Sequence, residues 1–78
     1  MNNLAITVDA TGLLCPMPLL KIKQALRKAN QGDTITLRTN DATSVADIPR
    51  WLSGTTHKLL QVHETPQGVF LLSVRCGA

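Results

Sequence analysis

A chain of 78 residues with 44% hydrophobic content makes one small domain with a thin core, and one Phe, one Trp and no Tyr make that core aliphatic. The net charge of +3 is mildly basic, with one local cluster at Lys21, Lys23, Arg27 and Lys28, and without interleaved aromatic residues it argues against the stacking platforms that hold single-stranded nucleic acid. Two cysteines do not make a disulfide framework, no apolar run reaches membrane-spanning length, and Met1-Asn2-Asn3 has no charged, apolar leader, so a soluble cytoplasmic protein with free thiols is expected.

Residues 4–9 alternate apolar and polar in their later part and read as a strand. Ala10-Thr11-Gly12 breaks it. Residues 16–30 read as a helix, with Leu19, Ile22 and Leu26 on one stripe, Ala25 and Ala29 beside it, and most of the basic cluster off it. Gly32 supplies the stop. Residues 34–39 form the cleanest strand, Ile35 and Leu37 on one face and Thr34, Thr36 and Arg38 on the other. Asn40 or Asp41 caps a second helical segment carrying Val45, Ile48, Trp51 and Leu52 at helical spacing. Pro49 inside it is expected to kink the segment or divide it into two short turns. Residues 58–65 and 69–75 are two strands joined by the hairpin-like Pro66-Gln67-Gly68. The order β-α-β-α-β-β, with no linker or repeat, predicts an α+β two-layer sandwich: a four-stranded mixed sheet with two helices on one face, as a single domain over residues 1–78. The first β-α-β unit should be right-handed.

The stretch with the most chemistry is Gly12-Leu13-Leu14-Cys15-Pro16-Met17-Pro18. Proline confines the residue before it to extended conformations and is welcome in a first helical turn, which makes Cys15 the expected N-cap of the first helix, facing solvent. The positive end of the helix dipole favours a thiolate there, while the two prolines remove donors that would stabilise it. A reactive, modestly acidified cysteine is expected, held by rigidity more than by hydrogen bonds. The plain alternative is a small apolar residue that happens to precede a helix.

Asp9-Ala10, Gly12-Leu13 and Cys15-Pro16-Met17-Pro18, followed by an amphipathic helix, resemble the signature of the TusA/SirA sulfur-carrier family. Asn40-Asp41-Ala42 through Asp47-Ile48-Pro49 to His57 resembles its second conserved region, so the likeness covers the whole chain. The resemblance implies a sulfurtransferase in which Cys15 carries sulfane sulfur as a persulfide, with no cofactor. It implies a cysteine desulfurase or other persulfide donor, and a downstream relay protein as acceptor. In one branch the sulfur ends in thiolated tRNA; others serve molybdenum-cofactor metabolism or sulfur oxidation. Gly12, Pro16 and Pro18 support the motif's geometry, and Leu14, Met17 and Lys21 are candidate docking residues. Relatives commonly carry charge beside the cysteine and Gly-His-Glu where this chain reads Thr56-His57-Lys58, so partner contacts are expected to differ.

Two rival readings stay open on the residues alone. One is a regulatory or interaction module of the same fold without sulfur transfer. The other is a redox protein that joins Cys15 to Cys76. No local ligand pair supports a zinc site from Cys15, His57 and Cys76, and no metal is expected.

Overall fold

In the computed structural model, which describes residues 3–77, the chain runs β1 (Ala5–Asp9), α1 (Met17–Lys28), β2 (Thr34–Thr39), α2 (Ala42–Leu52), β3 (Lys58–Glu64) and β4 (Phe70–Arg75). The sheet order is β1-β2-β4-β3. β1 and β2 are parallel, Ile6 opposite Ile35 and Val8 opposite Leu37, while β4 is antiparallel to both its neighbours. The four-stranded mixed sheet with two helices is the expected one.

Alternation along β2 and β4 decides what the helices cover. Ile35, Leu37 and Thr39 of β2 and Leu72 and Val74 of β4 are fully buried and pack with Ile22 and Leu26 of α1 and Ile48 and Leu52 of α2. Each such side chain contributes roughly 1.5–3 kcal/mol through burial. On the sheet's other face Thr36 and Ser73, cross-strand neighbours, share a hydroxyl hydrogen bond of 3.2 Å. β3 lies at an edge, and a bulge between Leu59 and Gln61 leaves Leu60 and Val62 exposed.

Two local expectations are corrected. α2 is not divided at Pro49 but continues to Leu52, because Ser44, Ile48 and Leu52 form one buried face whose packing outweighs the lost backbone bond. α1 ends at Lys28, with Ala29 extended, before Gly32 is reached. Gly32 instead takes φ +92° in the turn before β2, where its N–H donates to the Cys76 carbonyl.

Asp33 closes that end of the molecule. Its buried carboxylate accepts the Leu4 N–H at 2.9 Å on one oxygen and the Asn30 N–H at 2.9 Å on the other, tying the start of β1 to the α1–β2 turn. These backbone bonds hold its pKa below the ordinary aspartate value. A folded-state pKa below the unfolded one gives stability that is present above the unfolded pKa and lost as pH falls through the folded one. Asp33→Ala should therefore lower Tm by several degrees at neutral pH, and the gap to wild type should narrow in acid; thermal scans across pH test both.

Candidate functional site

The parallel pairing of β1 with β2 sets the Asp9 and Arg38 ends side by side, so the loops that follow them leave from one edge of the sheet. These two loops carry the two sequence blocks. Asp9 turns the first, accepting from the Thr11 N–H at 3.1 Å and the Thr11 hydroxyl at 2.7 Å. Gly12 follows with φ +83°, a conformation that L side chains rarely adopt, and its N–H donates to Asn40 Oδ1 at 3.0 Å.

Asp41 makes the second link. Its Oδ2 accepts the Cys15 N–H at 3.0 Å, and also the Ser44 N–H at 3.1 Å and the Ser44 hydroxyl at 2.6 Å. The same atom therefore caps α2 and fixes the backbone of the cysteine. The Ser44 hydroxyl bond leads the interactions that keep Asp41 below the ordinary aspartate pKa, and it stays ionised. Asp41 was legible as a helix cap; its hold on Cys15 was not.

Cys15 is exposed, as expected, but it is not the N-cap of α1. Pro16 takes that position, following a cis Cys15–Pro16 peptide bond, so the cysteine stands one residue outside the helix. Pro16 is exposed, and Pro18 is buried in the first turn, which seats the pedestal in the core. The thiol points at α2. Cys15 Sγ–H donates to Asp47 Oδ2 across 3.8 Å.

The electrostatics at the thiol are the reverse of those expected. The thiol pKa is raised above its ordinary value, first by desolvation, then by the charges of Asp47 and Asp41. The dipole argument failed because the N-terminus of α1 starts with prolines and its environment is acidic. Asp41, Ser44 and Asp47 recur every three residues, which places them along one edge of α2; that spacing was the available signal.

Around the cysteine the surface is apolar. Leu14 is 72% exposed, Met17 42% and Leu20 41%. Met17, Leu20 and Lys21 share a helical face, so Leu20 joins the rim and Lys21 lies at its border. The grooves of about 510 Å³ beside Lys23, Trp51 and His57 and about 530 Å³ beside Thr36, Arg38 and Leu71 are both lined without Cys15.

Cys76 is a core residue. It is buried, and its thiol donates to the Leu26 and Ala29 carbonyls at 3.7 and 3.9 Å, at the far end of α1. Twelve helical residues separate the two cysteines, about 18 Å at 1.5 Å per residue, against the 7 Å or so that a disulfide can span between Cα atoms. The Cys15–Cys76 redox pair is thereby excluded in this fold. His57 belongs to that far end too, accepting the Gly77 N–H on Nδ1 at 3.0 Å. Cys15, His57 and Cys76 do not converge, and among the described residues no cluster of three His, Cys, Asp or Glu could hold a metal.

In the native protein a thiol reagent should titrate Cys15 alone, with Cys76 reacting only in denaturant. Asp41→Ala should raise hydrogen exchange at the Cys15 amide by tenfold or more, on the order of the loss of one net hydrogen bond, while β2 and β4 amides keep their protection.

The family model described as Sulfurtransferase TusA matches residues 6–75. A Neisseria meningitidis relative named as a candidate sulfur carrier protein is 41% identical over 69 residues, covering 88% of this chain and 92% of its own. One from Archaeoglobus fulgidus, named likewise, is 33% identical over 57 residues, 73% of this chain and 78% of its own. The crystal structure of a SirA-like protein from Desulfitobacterium hafniense superposes with a TM-score of 0.81 at 26% identity, over 94% of this chain and 99% of the other. A match over nearly the whole domain, with the cysteine loop and the Asn40–Pro49 block brought face to face, means that the chain belongs to the TusA sulfurtransferase family of sulfur carriers.

Proposed function

We propose that Cys15 is the carrier residue and holds sulfane sulfur as a persulfide between a donor and an acceptor protein. The observation that carries this reading is an exposed thiol on a backbone pinned by Asp41, with the other cysteine buried at the far end of α1. A second thiol within reach would discharge the persulfide as a disulfide; here none lies beside it among the described residues.

Loading is an exchange reaction. The Cys15 thiolate attacks the terminal sulfur of a donor persulfide, a new S–S bond forms on Cys15, and the donor's S–S bond breaks. The donor cysteine leaves with the electron pair and is protonated by solvent, which has taken the Cys15 proton. Donor persulfide plus Cys15 thiol thus become donor thiol plus Cys15 persulfide, with no net oxidation. In unloading, an acceptor thiolate repeats the step at the terminal sulfur. Access and thiolate character set the rate, and no cofactor takes part.

A cysteine desulfurase, or another persulfide-bearing protein, is the donor in this reading, and a relay protein is the acceptor. Both dock on the apolar rim of Leu14, Met17 and Leu20, with Lys21 at its border. The relay runs in the cytoplasm, where thiols stay reduced. Its end point, such as thiolated tRNA, is set by the acceptor and not by this domain, which makes no direct nucleic-acid contact.

Incubation with a cysteine desulfurase and cysteine should add one sulfur atom to the Cys15 peptide, removable by reductant and absent in Cys15→Ser. Intact-mass analysis with peptide mapping tests it. No gain from several donors, with partner binding kept in Cys15→Ser, would replace the carrier with the interaction module.

A further inference from the structure

Two carboxylates lie near Cys15, and they are not equivalent. Asp41 Oδ2 is occupied by three donors, two of them from Ser44, and its role is structural. Asp47 is half-buried on the same helix edge, and its hydrogen bond among the described residues is the long one from the Cys15 thiol, 3.8 Å. Behind desolvation, the charges acting on the thiol are those of Asp47 in α2 and Asp41 at its N-cap, and among the described residues no cation's charge opposes them. In sequence the cysteine is flanked by the uncharged Leu14, Pro16 and Met17, and the first basic residue of α1 is Lys21, at the border of the rim. The site is therefore locally acidic in a protein of net charge +3.

We propose that Asp47 is a brake on Cys15 in the free carrier, released when a docking partner places a lysine or arginine against it. This rests on the persulfide reading above and adds its regulation. In the free protein the carboxylate, 3.8 Å from the thiol, adds to desolvation in disfavouring the thiolate, so the exposed cysteine is less often ionised and slower towards stray electrophiles and disulfides. An apolar partner surface that covers Leu14, Met17 and Leu20 desolvates the pair and would deepen the penalty on the anion if it brought no charge. A cation beside Asp47 reverses the balance: it pairs with the carboxylate, its field favours the thiolate, and the Cys15 proton passes to solvent. Nucleophilicity is then confined to the complex. The partner's recognition surface is accordingly an apolar socket with a cation at its edge, and the same ion pair contributes to docking.

The brake and the docking contact predict opposite signs in one variant. In free Asp47→Asn protein, iodoacetamide should alkylate Cys15 several-fold faster than in wild type at neutral pH, with the pH profile displaced towards lower pH; Asp47→Glu should restore wild-type behaviour. Loading of Asp47→Asn from a small-molecule persulfide should also be faster. Loading from a cysteine desulfurase, read by intact mass at limiting donor, should be several-fold slower, because the ion pair is lost. An unchanged alkylation profile overturns the brake, and unchanged or faster loading from the protein donor overturns the cationic release. Circular dichroism and Tm show whether the variant is folded, and the conservative glutamate variant keeps the test valid if the asparagine variant is not. Failure of wild type to load from either donor removes the persulfide reading and the release step with it, and alkylation then decides the brake alone.

Discussion

The three donors gathered on Asp41 Oδ2 hold the site together. Two come from Ser44 and start α2; the third is the amide of Cys15, in a loop that belongs to β1 and α1. The sheet makes the meeting possible. Parallel strands β1 and β2 deliver their following loops to one edge, and Asn40 and Asp41 clamp the Gly12 and Cys15 amides there. A loop of glycine, leucines and prolines has few polar groups of its own. Part of its shape comes from amide and carboxylate oxygens supplied by the second βα junction, which ties the two sequence blocks together.

Much of this could be read before the structure. Period-two alternation placed Ile35 and Leu37 on the covered face, and helical spacing placed Ile22, Leu26, Ile48 and Leu52 in the core. The cap of α2 was visible as Asn40 or Asp41, and it is Asp41. The sequence could not show that one oxygen would serve both helices, because that contact spans 26 residues and depends on parallel strand pairing. Of the two outcomes expected at Pro49, division does not occur: the penalty of a proline in a helix is local, whereas the packing of Ile48 and Leu52 that outweighs it is tertiary. The two cysteines could not be placed from spacing either. Their separation became plain only once α1 lay between them.

Reactivity at Cys15 follows a different rule from the one suggested by a helix start. Prolines at the beginning of α1 spend the first turn on stiffness, so few amides face the sulfur, and the nearest charge is a carboxylate. Among thiols that exchange sulfur, a less acidic one is a stronger nucleophile once ionised but is less often ionised. A raised thiol pKa leaves Cys15 less often ionised in the free protein. In the proposed relay its specificity would reside in what a partner adds, and the exposed Leu14, Met17 and Leu20 side chains are the apolar surface beside the thiol.

The bulge in β3 bears on how such a molecule behaves at high concentration. A free sheet edge is a template for another strand, and exposed Leu60 and Val62 would make a flat one adhesive. The extra residue between Leu59 and Gln61 interrupts the register beside those two side chains, and Lys58, His63 and Glu64 flank them with polar groups. An edge of this kind resists extension into intermolecular sheets. The colloidal stability of the protein is thus written at the opposite side of the sheet from β1, in a strand remote from the Cys15 loop.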